Sequence, residues 1–161
     1  PVSAMGAHVS VCPNHTVGRV TPFETRGDVA LLGTFGYELD ITKLSAEEKE
    51  LVKVQVEKYH KYNDLIREGD YYRLASVADN GYYDSWMIVE KDQSRALLFY
   101  VQVMARANAK SRFIRLAGLD AGKHYVVEGK TYAGSTLMNA GVRISSEFGD
   151  FKSRLIEITE A

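Results

Sequence analysis

Most of the side chains that could do chemistry lie in the first forty residues. His8, Cys12 and His15 fall at i, i+4 and i+7, a spacing that could bring two imidazoles and a thiolate to a zinc ion. The set has no fourth ligand, and Pro13 breaks any helix that would align the three, so no metal is expected. The simpler reading is a buried Cys12 thiol and histidines that hydrogen-bond their own loop. Glu38 and Asp40 occupy alternate positions of a strand-like run and would point the same way. A carboxylate nucleophile and its acid partner stand about 5–5.5 Å apart, a separation that i and i+2 can meet by accident. Ion pairing or capping is the favoured role for both. Asn14, His15 and Arg19 suit a dense array of hydroxyls. The competing and preferred reading is that the run PNHxxGR fixes a tight loop, with Arg19 paired to a carboxylate such as Glu24 or Glu38.

The elements around these residues follow from apolar patterning. An apolar run from Val2 to Val11 ends at Pro13-Asn14, a short helix follows Thr21-Pro22, and Gly33 introduces a second strand-like run, Thr34 to Leu39. Ser45-Ala46-Glu47-Glu48 is a capping box, serine at a helix start and glutamate three residues on. The helix it opens, Ala46 to about Arg67, carries Val52, Val56, Tyr59 and Ile66 on one side, widened by Leu51, Tyr62 and Leu65. Two consecutive strand-then-helix units predict parallel strands with crossover helices. In a barrel of that kind chemistry sits beyond the C-terminal ends of the strands. His8, Ser10, Cys12, Asn14, His15 and Arg19 then follow one strand, and Glu38 and Asp40 end the next.

After Gly69 the pattern changes. Runs rich in Val, Ile, Tyr and Phe, at Tyr71–Val77, Tyr83–Lys91, Arg95–Met104, Arg112–Leu116, His124–Glu128 and Phe151–Thr159, are broken by Asp79-Asn80-Gly81, Asp92-Gln93-Ser94 and Asp120-Ala121-Gly122. They predict six to eight antiparallel strands in a β-sandwich or curved sheet, with the second and third runs paired as a hairpin closed at Lys91 to Ser94. Trp86 lies in a mostly apolar strand and is expected in the core, whereas Tyr71-Tyr72 and Tyr82-Tyr83 each place one ring on each face.

The runs MGAHVSVCPNHTVGRVTPFETRG and GTFGYELD resemble the C-terminal end of the catalytic domain of bacterial α-galactosidases of glycoside hydrolase family 36. The resemblance continues through the capping box, Gly69-Asp70-Tyr71-Tyr72-Arg73-Leu74, Ser85-Trp86-Met87 and Leu137-Met138-Asn139-Ala140-Gly141, so it spans nearly the whole chain. It implies the last two βα units of a (β/α)8 barrel over residues 1–69, then an antiparallel β domain over 70–161. It also implies a retaining hydrolase that releases terminal α-galactose from melibiose- or raffinose-type sugars without metal or cofactor, in a cytoplasmic parent that assembles as a homo-oligomer. The family works with two aspartates on earlier strands, in a Lys-Trp-Asp type and a Ser-Asp type motif. Neither occurs here, so this chain alone is expected to be inactive. The alternative is a non-catalytic carbohydrate-binding or structural β domain.

The totals agree with a portion of a larger enzyme. A complete (β/α)8 barrel takes about 250 residues, against 161 for the whole chain, of which 45% are hydrophobic. The net charge is −1, with eight Lys/Arg against ten Asp/Glu up to Gly69 and twelve against eleven beyond it. Nucleic acid is therefore not an expected partner, since a binding face needs clustered basic residues. The single Cys12 excludes an internal disulfide and suits a reducing compartment. No run approaches the roughly 20 apolar residues of a membrane span. Proline is absent after residue 22, so no linker separates the two parts.

Overall fold

The computed structural model describes residues 2–161 and divides the chain into two compact units, 1–67 and 68–161. In the first unit a 3-10 turn, Val2–Ala4, leads into β1 (Gly6–Ser10), and α1 (Phe23–Ala30), β2 (Thr34–Glu38) and α2 (Ala46–Glu68) follow. The apolar run from Val2 overestimates the first strand because its opening residues turn before the chain becomes extended. β1 and β2 pair in parallel, from Gly6 opposite Thr34 to Ser10 opposite Glu38.

Alternation along this pair separates two faces. Ala7 and Val9 on β1 and Phe35 and Tyr37 on β2 pack with Phe23, Ala30, Leu44, Leu51 and Val52, residues of the two helices and the segment before α2. The opposite face carries Gly6, His8 and Ser10 beside Thr34, Gly36 and Glu38. Strands of a parallel sheet buried on both faces read as continuous apolar runs. This pair departs from that rule on one face only, where every residue is small or polar. Gly33 is required at the start of β2, since a Cβ there would stand 2.5 Å from the Met5 carbonyl oxygen.

The capping box forms as expected. The Ser45 amide donates to the Glu48 carboxylate at 3.0 Å, and the Glu48 amide donates to Ser45 Oγ at 3.1 Å. Further along α2, Gln55 is buried among apolar neighbours. Its Nε2 donates to the Phe23 carbonyl at 2.9 Å and its Oε1 accepts from the Tyr37 hydroxyl at 2.8 Å, so one side chain joins α1, β2 and α2.

The second unit contains β3 (Asp70–Ala75), α3 (Val77–Asn80), β4 (Tyr83–Val89), β5 (Arg95–Gln102), β6 (Arg112–Ile114), β7 (His124–Val127), β8 (Lys130–Ala133), α4 (Gly134–Asn139), β9 (Val142–Ile144) and β10 (Lys152–Glu160). Six strands form an antiparallel sheet in the order β3-β4-β5-β10-β7-β8, and β6 pairs separately with β9. The β4–β5 hairpin closes at Glu90–Ser94, with the Glu90 amide donating to Arg95 O at 2.8 Å and Gln93 in the left-handed region at φ 61°.

Met87, Val89, Leu98, Tyr100, Ile156 and Ile158 of the large sheet share a core with Ile114 of β6, Leu137 of α4 and Ile144 of β9. The two-stranded sheet and α4 therefore cover one face of the six-stranded sheet. Trp86 is buried, as expected, and stacks on Phe99 with centroids 5.2 Å apart. Tyr71 is exposed, whereas Tyr72 and Tyr83 pack against the core.

Candidate functional site

The candidate site is the small and polar face of the β1–β2 pair together with the loop that leaves β1. Because the strands are parallel, Ser10 and Glu38 mark the same end of both. His8 Nε2 meets Glu38 Oε2 at 2.5 Å, a pair that bridges the strands with both side chains substantially solvated. Even with a charged imidazole, a solvated contact of this kind contributes only on the order of 0.2–1 kcal/mol, so its effect is to orient both groups more than to hold the fold together.

The loop closes on itself. Asn14 Oδ1 accepts from the amides of Thr16 and Val17, each at 3.0 Å. The Asn14 amide donates to Arg19 O at 2.9 Å, and the Gly18 amide returns to Asn14 O at 2.8 Å. Gly18 lies at φ 66°, where glycine avoids the strain any other side chain would meet. PNHxxGR is thus a tight turn, in which Asn14 uses its oxygen internally and His15 and Arg19 stay on the exposed outside. Glu38, one of the carboxylates expected beside Arg19, is held by His8.

Cys12 Sγ approaches the Thr21 carbonyl at 3.7 Å, a thiol donating weakly within the loop. His8, Cys12 and His15 do not converge, and among the described residues no group of three or more His, Cys, Asp or Glu side chains could hold a metal ion.

Asp40 departs from the strand reading. β2 ends at Glu38, and Asp40 instead caps a 3-10 turn, Ile41–Lys43, accepting from the Thr42 hydroxyl at 2.6 Å and the Thr42 amide at 3.0 Å. Those hydrogen bonds, the hydroxyl's first, hold its carboxyl below the usual value, and Lys43 lies 3.6 Å away. Glu38 and Asp40 therefore do not alternate along one strand, and each has a local partner of its own.

Arg26 was not conspicuous in the sequence, yet it fixes the loop to the strand end. Its Nε donates to the Thr21 carbonyl at 3.1 Å, its Nη1 to the Ser10 carbonyl, and its guanidinium lies 4.9 Å from the Phe23 ring centroid. The available signal was its place in the run ETRG at the first turn of α1.

Comparison with known proteins extends this geometry. Residues 1–69 match the family described as Melibiase, and residues 83–158 match the glycosyl hydrolase family 36 C-terminal domain. The α-galactosidase AgaA of Geobacillus stearothermophilus is 49% identical over 156 residues, 96% of this chain and 21% of its own length. The bifunctional α-galactosidase/sucrose kinase AgaSK of Mediterraneibacter gnavus is 44% identical over 166 residues, covering 100% of this chain and 18% of its own length. Among solved structures, the galactosidase domain of AgaSK superposes with a TM-score of 0.95 at 44% identity over 100% of this chain and 22% of that one. A substituted form of the Geobacillus enzyme in complex with stachyose gives 0.95 at 47% identity, again over 100% of this chain and 22% of that one. The chain thus spans about a fifth of the length of the curated relatives it matches. With both units matched in order along the sequence, the chain belongs to glycoside hydrolase family 36, in the C-terminal portion of its α-galactosidases.

Proposed function

We propose that this chain works as the C-terminal portion of a retaining α-galactosidase that releases terminal α-galactose from melibiose- or raffinose-type oligosaccharides. The observation that carries the reading is the two-faced parallel pair. Helices cover the apolar face of β1 and β2, while the other face offers His8, Ser10, Thr34, Gly36 and Glu38, residues suited to a polar lumen. In this reading residues 1–69 are the last two βα units of a (β/α)8 barrel and residues 70–161 a β-sandwich domain. His8, Asn14, His15, Arg19, Glu38 and Asp40 stand at the barrel mouth, where strand ends and their following loops meet substrate. His8 and Glu38 orient one another there, and Arg26 holds the loop against Ser10.

The nucleophile and the acid are two aspartates carried by preceding strands. The complete enzyme forms a covalent galactosyl intermediate on one and uses the other as acid and then base, with no metal or cofactor. It is a cytoplasmic homo-oligomer. Among the described residues no helix is long and apolar enough to cross a membrane.

The test pairs two preparations on an aryl α-galactoside. The parent enzyme is expected to turn over and this chain alone to be inactive. Turnover by the chain that disappears in Glu38→Ala or Asp40→Ala would place the chemistry here and overturn the assignment.

A further inference from the structure

A second concave site lies in the β domain, with no part in the candidate site above. The β7–β8 hairpin, the paired strands β6 and β9 and the end of α4 line a cavity of about 330 Å³. Small-ligand pockets run from about 300 to 1,000 Å³, so the space suits a single ring and not an extended peptide. Its floor is apolar and buried, made by Val127, Leu137 and Val142. Its walls carry two rings with water-facing surface, Phe113 and Tyr132, exposed by 63% and 37%.

The remaining groups supply hydrogen bonds. Arg143 is the cross-strand partner of Phe113 and donates to Ser111 Oγ at 3.0 Å, which directs its guanidinium along the rim. Lys130 pairs with Val127 across the β7–β8 ladder and has no ion-pair partner among the described residues, so its three N–H donors are available. Glu128 supplies carboxylate acceptors and is neutralised by Arg154.

We infer that this cavity is a secondary binding site for a galactosyl unit. A pyranose has an apolar C–H face and a hydroxyl edge, the same division as the aromatic walls and charged rim here. Galactose has the more continuous apolar face, because its axial 4-hydroxyl lies to one side of the ring. The preference for galactose over other hexoses rests on the function proposed above; the cavity's fit to a pyranose does not. A small anion would use Lys130 and Arg143 but leave both rings unused.

Titration of the isotope-labelled full chain followed by NMR tests the assignment, with methyl α-galactoside, methyl α-glucoside and inorganic phosphate as separate probes. Saturable shifts confined to β6, β8 and β9 are expected with the galactoside, weakened about tenfold or more by Phe113→Ala and by Lys130→Ala, the size of one lost stacking or charge-assisted contact. Lys130 is exposed and outside the core, so its variant decides the matter if Phe113→Ala does not fold. Absence of saturable shifts there, response to phosphate but not galactoside, equal affinity for the glucoside, or full affinity in Lys130→Ala would each overturn the inference. Binding here by a chain whose parent fails to hydrolyse aryl α-galactosides would sink the proposed function and leave a pyranose site standing. Hydrolysis without binding here would do the reverse.

Discussion

At the residue scale, Glu38, His8, Asp40 and Cys12 near the strand ends are each committed to a neighbour. Glu38 holds His8, Asp40 caps Thr42, and Cys12 donates to Thr21 O, which leaves no convergent set of metal donors among them. Purified chain is accordingly expected to contain no stoichiometric zinc; elemental analysis finding about one zinc per chain, lost in His8→Ala or His15→Ala, would contradict this. Asp40 gives a pH-dependent test. Its folded pKa is depressed below the ordinary 3.8, so the cap's contribution is present above that value and fades as pH falls through the depressed one. An NMR titration of the Asp40 carboxyl should show a midpoint below 3.8, rising toward it in Thr42→Val, because the hydroxyl is the larger cause. A wild-type midpoint at or above 3.8 would exclude the capping geometry as the source of the shift.

At the element scale, α2 shows what patterning can and cannot reveal. The capping box is legible because Ser45 and Glu48 interact within four residues, and Ser45→Ala should lower stability by about 1 kcal/mol in urea unfolding. Gln55 is not legible, since a glutamine between valines reads as solvent-facing until the helix has a partner. Gln55→Ala opens a void and removes the buried hydrogen bonds to the Phe23 carbonyl and from the Tyr37 hydroxyl, for a cost of about 2–4 kcal/mol, well above the cap. Equal losses for the two variants would mean that the network carries little. The parallel order of β1 and β2 followed from the alternation of strand and helix, whereas the separation of their faces needed the register. Six of the strands after Gly69 were readable from Val, Ile, Tyr and Phe. β8 and β9 were not: Lys130–Ala133 is an exposed edge strand without apolar alternation, and Val142–Ile144 spans only three residues. The second cavity depends on those two strands, so composition alone could not disclose it. Arg26 was equally hidden, because its role depends on carbonyls at Ser10 and Thr21 that the fold brings to it.

At the scale of the whole molecule, the two units differ in how much core each closes from its own residues. β10 pairs with β5 over eight registered positions, and fifteen buried side chains of the second unit form one cluster, from Met87 to Ile158. The cluster around β1 and β2 has three buried members, Val9, Phe23 and Ala30, and rests on a two-stranded sheet whose strands have no further strand partner among the described residues. Burial of apolar surface is the main favourable term in folding, and unpaired edges open readily, so residues 70–161 should be the more stable part. Hydrogen exchange on the full chain, combined with limited proteolysis, reads this order directly. Amides of β4, β5 and β10 are expected to exchange slowest, and the first cleavages to fall in the loop between β1 and α1, where Val17 and Val20 are exposed. Slow exchange throughout the first 40 residues, with early cleavage inside Tyr83–Met104, would reverse the order and make the parallel pair, not the β domain, the more stable part.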